Sequence, residues 1–251
     1  MIISQFPSGG SGGALPQFTY DGKYSVILDS GGWKVKFLTS GTLTMRNRAN
    51  VDVFLVGGGG NGRGSIPQPI SDQQGGQYYQ TKYGGGGGGG YTFTQKGITL
   101  LENHEYNIVI GQVREASSFE ADLSDEAETI SYIALAGENA SMESGGNGGS
   151  GGSGYGLYLT YPNGSYYGGT RYVNGGTDGG NGERRMGAPG TGQGTTTREF
   201  GEPSGELYAS GGGSYYSASD APKIIPNTGN GGTGGNNGAG ASGIVIIRNA
   251  R

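Results

Sequence analysis

The chain has 251 residues, of which 59 are glycine and none is cysteine, with one histidine and a formal net charge of −4. That balance excludes a disulfide framework and thiolate metal sites, and it offers nucleic acid no basic stripe to bind. Glycine in this amount, beside an apolar share of 32%, ordinarily marks a disordered linker, but apolar segments such as Ile244-Val245-Ile246-Ile247 interrupt the tracts and have no place in one.

Residues 1–16, with Pro7, Pro16 and the Gly9-Gly10-Ser11-Gly12-Gly13 run, read as an N-terminal attachment arm or linker. Met1–Phe6 has neither the basic region nor the long apolar stretch of a signal peptide. No run reaches the length that spans a bilayer, so no membrane insertion is expected.

From Gln17 the pattern is that of strands. Phe18-Thr19-Tyr20, the turn signal Asp21-Gly22 and Tyr24–Leu28 predict a hairpin. Trp33, Val35 and Phe37 alternate with Lys34 and Lys36, the period of a half-buried strand. Thr42–Arg46 alternates in the same way. Val51–Val56 is apolar almost throughout, as a central strand is, and runs directly into Gly57–Gly60. A polar loop with Pro67 and Pro69, the pair Tyr78-Tyr79 and the unbroken Gly84–Gly90 run come next. Strands are expected again at Tyr91–Thr94, Ile98–Leu101 and Tyr106–Ile110, and at Ser117–Phe119 and Thr129–Ala136 around an acidic turn. Ile244–Arg248 closes the chain as the last strand.

From Gly145 glycine falls on a three-residue period: Gly145, Gly148, Gly151 and Gly154, then Gly176, Gly179 and Gly182, then Gly229, Gly232, Gly235 and Gly238. Neither α-helix nor strand has that period; a polyproline-II-type helix does, at three residues per turn and without internal hydrogen bonds. Its N–H and C=O groups need partners on neighbouring segments. Ordering glycine costs about 0.5–1 kcal/mol more than alanine, and each lateral hydrogen bond returns about 0.5–1.5 kcal/mol. Collagen is a poor match, because the 9 prolines fall mostly outside the triplets. The expected fold is all-β. A small β-sandwich-like scaffold (about 17–56, 91–136 and 243–248) carries an inserted bundle of polyglycine-II helices and their loops (about 57–90 and 137–242). Residues 17–251 form a single domain.

Few motifs carry chemistry. Gly57–Gly62 formally has dinucleotide-binding spacing, but such a loop must open a helix, and Pro67 and Pro69 follow instead. A catalytic triad or imidazole metal cluster would rest on His104 alone, in the polar turn Glu102–Glu105. The acidic stretch Glu120–Glu128 matches no calcium loop and reads as a solvated turn. No catalytic residue, cofactor or metal is expected. The tyrosines are more informative. Tyr78-Tyr79, Tyr166-Tyr167 and Tyr215-Tyr216 fall between glycine tracts in stretches read as loops (65–83, 155–174 and 203–226), with Tyr161 and Arg171 near the second doublet. Tyrosine supplies rigid, amphipathic contact area at small entropic cost, which suits recognition of glycans or protein loops. The alternative is that these rings cover the flanks of the glycine bundle.

Phe37–Thr44, Val53–Gly60, Gly194–Gly201 and Ala241–Arg248, in that order, resemble the glycine-rich domain proteins of bacteriophages and prophages, especially those of Gram-positive gut bacteria. The resemblance implies a tail-fibre or tail-tip component. It is similar to the polyglycine-II sandwich of T-even-type fibre adhesins, and more distantly to the glycine-rich domain of receptor kinases related to anaplastic lymphoma kinase. The expected function is therefore a receptor-binding protein, not an enzyme, that recognises a host bacterial surface glycan or protein. It is expected on the virion, as a homo-oligomer among other tail proteins. The rivals are a structural virion component without receptor binding and a polysaccharide depolymerase. The resemblance assigns no binding residues, since the doublets lie outside its motifs.

Overall fold

The computed structural model describes residues 15–29, 32–71, 77–123, 128–142, 144–154, 156–160, 166–170, 196–214, 223–235 and 237–251. All of the expected arm except Leu15 and Pro16 lies outside them. Among the described residues the chain forms fourteen strands in three antiparallel sheets. The first sheet runs β1 (Phe18–Tyr20), β4 (Gly41–Met45), β9 (Glu105–Val109), β10 (Ser117–Leu123) and β11 (Glu128–Ala134). The second runs β2 (Tyr24–Asp29), β3 (Gly32–Phe37), β14 (Ile244–Asn249), β5 (Ala49–Val56) and β8 (Thr92–Leu100). The third runs β13 (Tyr166–Thr170), β12 (Gly156–Thr160), β7 (Gln77–Tyr83) and β6 (Ile66–Ser71).

The first two sheets share one hydrophobic core. Trp33, Val35 and Phe37 of β3, Val51, Val53 and Leu55 of β5, and Val245 and Ile247 of β14 pack with Leu43, Met45, Tyr106, Ile108, Phe119 and Leu123. The alternate residues of the central strands, Phe54, Val56, Ile244 and Ile246, face the other way. They pack with Phe200, Tyr208 and Ala209 of the segment 196–214. Two covered faces explain why β5 and β14 are near-continuous apolar runs rather than alternating ones.

The hairpin expected at Asp21-Gly22 does not form. β1 pairs with β4 and β2 with β3, so the chain changes sheets there. The Asp21 carboxylate accepts the Thr42 N–H at 2.6 Å and the Lys23 N–H donates to Thr39 Oγ1 at 2.8 Å. Polar groups that read as a local turn are thus tied to residues 39–42. The Tyr20 ring lies edge-on to Phe37 at 4.7 Å between centroids and joins the two sheets.

The glycine tracts are held sideways. Gly57, Gly60 and Arg63 donate N–H bonds to the carbonyls of Tyr91, Gly88 and Gly85 (3.0, 2.8 and 2.9 Å). Gly59, Gly62 and Ser65 donate to Ala241, Gly238 and Gly235 (2.8, 2.9 and 3.1 Å). Toward a third neighbour, Gly58 and Asn61 accept from Gly137 and Ala140, both at 2.9 Å. Each neighbour is met at steps of three residues. Gly84–Gly90 repeats the arrangement: Gly88 donates to Glu138, Gly89 to Ser150, and Gly90 to Gly229. Three successive residues therefore bond to three different segments.

Side chains obey the same period. In 145–154 the non-glycine residues are Asn147, Ser150 and Ser153, one column along the segment, whereas Gly84–Gly90 carries none. The reason is steric. A Cβ at Gly87 would overlap the carbonyl of Gly60, one at Gly88 that of Asn147, and one at Gly89 that of Ala209. A segment enclosed on all three sides has no direction left for a side chain.

Candidate functional site

The third sheet is set at the ends of these tracts. β6 begins at Ile66, just beyond Gly64; β7 ends at Tyr83, directly before Gly84; and β12 begins at Gly156, just after Gly154. Two of the three stretches read from the sequence as loops, 65–83 and 155–174, thus hold paired strands, whereas 203–226 holds none among its described residues. Two features hid them. Pro67 and Pro69 interrupt β6, which tolerates them as an edge strand because the missing N–H costs no ladder bond. Gly168-Gly169 dilutes β13, the opposite edge.

Backbone register brings two of the three tyrosine doublets together. Pro69, Tyr79, Thr160 and Tyr166 stand in one row across all four strands. Gln68, Gln80, Leu159 and Tyr167 form the adjacent row, and Tyr78 pairs with Ile70 on the other side. These rows occupy the part of the sheet away from the tracts, which join it near Tyr83, Gly156 and Thr170. Tyr161, Arg171, Tyr215 and Tyr216 lie outside the described residues.

A second polar constellation went unrecognised in the sequence. On the outer face of the second sheet, Lys34, Lys36, Lys96 and Arg248 meet Asp52, Glu199, Glu202 and Glu206, four cations against four carboxylates. Arg248 binds Asp52 at 3.0 Å, donates to Glu202, and lies 4.0 Å over the Phe200 ring. Lys34 reaches Glu199 at 2.8 Å, and Lys36 reaches Glu206 at 2.7 Å and Tyr208 Oη at 2.8 Å. Glu199 Oε1 is buried and has no hydrogen-bond partner among the described residues. The hydrogen bond from Arg248 holds the Glu202 carboxyl below its ordinary range against the opposing effect of burial. Burial, the largest single effect, pushes Glu206 up, but the bond and charge of Lys36, the Tyr208 hydroxyl and the charge of Lys34 together outweigh it and hold the carboxyl below its ordinary range. Burial, then the carboxylates of Glu199 and Glu206, raise the Tyr208 phenol. With its charges mutually neutralised, this cluster clamps residues 199–208 onto the sheet. The signal available in the sequence was a charge inside each apolar central strand, Asp52 and Arg248.

The remaining motifs are modest. His104 Nδ1 lies 2.8 Å from the Glu102 carbonyl oxygen within its turn. Glu105, Glu120 and Asp122 border a shallow polar depression on the first sheet with Thr42, Asn107, Thr129 and Ser131. No group of three or more His, Cys, Asp or Glu is placed to hold a metal among the described residues. Gly57–Gly62 leads into a strand, not a helix, so no dinucleotide site forms there. Among the described residues, no helix is long and apolar enough to cross a membrane.

Antiparallel sheets joined through laterally bonded glycine segments define an all-β, glycine-rich protein. The family model described as a glycine-rich domain matches residues 38–250, and the chain belongs to that family. No curated protein and no solved structure matches it.

Proposed function

We propose that the glycine tracts are polyglycine-II helices inserted into a β-sandwich made by the first two sheets, and that the protein is a receptor-binding component of a phage tail fibre or tail tip. The three-residue step of the lateral hydrogen bonds, with three partners per segment, supports the helix assignment. At about 3.1 Å per residue, Gly57–Gly64 would carry the chain roughly 25 Å from the end of β5. The Tyr79–Thr160–Tyr166 row stands four residues beyond Tyr83, roughly 13 Å further along the strand.

The observation that carries the reading is this row: residues far apart in sequence meet at the end of the glycine segments farthest from the core. Tyrosine-rich, low-charge surfaces suit a host surface glycan or protein, and several copies per virion would turn weak single contacts into avid attachment. The test is adsorption of labelled protein to candidate bacteria before and after removal of surface polysaccharide. Strain-selective binding, reduced at least tenfold in the Tyr79→Ala/Tyr166→Ala protein at unchanged melting temperature, is the expected result. No binding by the folded, multivalent protein would refute it.

One observation favours the structural alternative. The doublets at 78–79 and 166–167 lie in paired strands, where rings also serve as cross-strand packing. Under that reading the same double variant loses melting temperature and retains whatever adsorption the parent has.

A further inference from the structure

The first and second sheets meet along two seams. At one, Phe93 of β8 and Tyr132 of β11 close the core as stacked rings 5.3 Å apart. The other lies between the edge strands β1 and β2. There Tyr24, Val26 and Leu28 stand opposite Phe37, Val35 and Trp33, on the core side of the sheet. Nevertheless Tyr24 is 44% exposed and Leu28 53%. β1 is three residues long and β2 six, so β1 is too short to cover it. The rings of Phe18 and Tyr20 reach Tyr24, at 5.4 and 6.0 Å, Val26 is half-buried, and Leu28 at the far end is the most exposed of the three.

An open apolar edge is a template for another strand, and other edges of this molecule are guarded against that. β6 carries Pro67 and Pro69; β8 carries Lys96 and an irregular register opposite Asp52. β2, Tyr-Ser-Val-Ile-Leu-Asp, has neither proline nor lysine.

The sequence carries an apolar segment a short way ahead of β1. Leu15, the first described residue, packs against the same core, and Pro16 is buried. Ahead of it stand Met1-Ile2-Ile3-Ser4-Gln5-Phe6 and then the eight-residue tether Pro7–Ala14, mostly glycine and serine. Eight residues extend to about 26 Å, more than the roughly 20 Å length of β2. The tether is therefore long enough for residues 2–6 to reach β2 of their own molecule, where tethering supplies an effective concentration on the order of millimolar.

We infer that the edge of β2, unpaired among the described residues, and the seam beside it are a docking site for residues 2–6 of the same chain, which add to the second sheet as a further strand. The inference is independent of the receptor-binding reading. Hydrogen exchange read by mass spectrometry tests it on the full chain, on a variant lacking residues 1–6, and on a full-length Ile2→Ser/Ile3→Ser/Phe6→Ser variant. Both variants should exchange the β2 amides at least tenfold faster, with β14 unchanged and the same mass as the parent by light scattering. Equal β2 exchange in all three proteins overturns the proposal. Protection that grows with protein concentration, together with a dimer mass that the deletion abolishes, overturns the same-chain assignment in favour of exchange between copies.

Discussion

Single atoms decide what residue each tract position tolerates. At Gly88 a Cβ would overlap the Asn147 carbonyl carbon and oxygen, main-chain atoms with no rotamer to yield. Gly88→Ala should therefore cost on the order of 3 kcal/mol, read as a lowered chemical denaturation midpoint. Gly97 is the contrast. Nothing lies within 4 Å of its would-be Cβ, but its φ is +68°, so Gly97→Ala should cost only about 1 kcal/mol of backbone strain. Ala239 is exposed, and Ala239→Ser should stay within about 0.5 kcal/mol of the parent. Equal losses at Gly88 and Gly97 would contradict the lateral packing.

At the scale of elements, the ionic clamp sets how the segment 199–208 holds to the second sheet. Arg248→Met leaves Asp52 buried without its cation and should cost about 3–5 kcal/mol. Asp52→Asn/Arg248→Met should recover most of that loss. The clamp also fixes the pH response. Glu202 and Glu206 stay ionised in the fold to lower pH than in the unfolded chain, where a glutamate titrates near about 4.3. As pH falls, the unfolded chain takes up protons first, so the contribution is complete above that value and is lost as pH drops through the folded values. Glu202→Gln/Glu206→Gln should flatten the acid limb of a melting-temperature profile. Tyr208 behaves in the opposite sense: its phenol is raised in the fold and ionises near about 10 when unfolded. Its contribution is present below that pH and fades as pH rises, so Tyr208→Phe should flatten the alkaline limb. Single elements were legible to differing degrees. The strand around Trp33 announces itself by period, because side chains alternate across a pleat; those around Val53 and Ile246 announce themselves as unbroken apolar runs, because both their faces are covered. β6 and β13 do not, because proline and glycine at an edge erase the alternation without preventing pairing.

For the whole molecule, the glycine tracts must behave as interior. Gly60, Gly87 and Gly88 each donate a backbone hydrogen bond at 2.8–2.9 Å, so their amides should exchange on the timescale of the core strands. Exchange as fast as an unstructured glycine linker would exclude the arrangement. The sequence by itself determined the all-β class, the apolar strands β3, β5 and β14, and the triplet period of glycine. All of these are written in spacing along the chain, and spacing reflects local geometry. Only the tertiary structure decided that Asp21-Gly22 crosses between sheets, that Asp52 meets Arg248, and that Tyr79 shares a row with Tyr166. The physical reason is that these pairings are set by which segments lie side by side. A glycine segment with no side chains offers three equivalent directions for hydrogen bonding, so its own sequence cannot say which neighbour fills each.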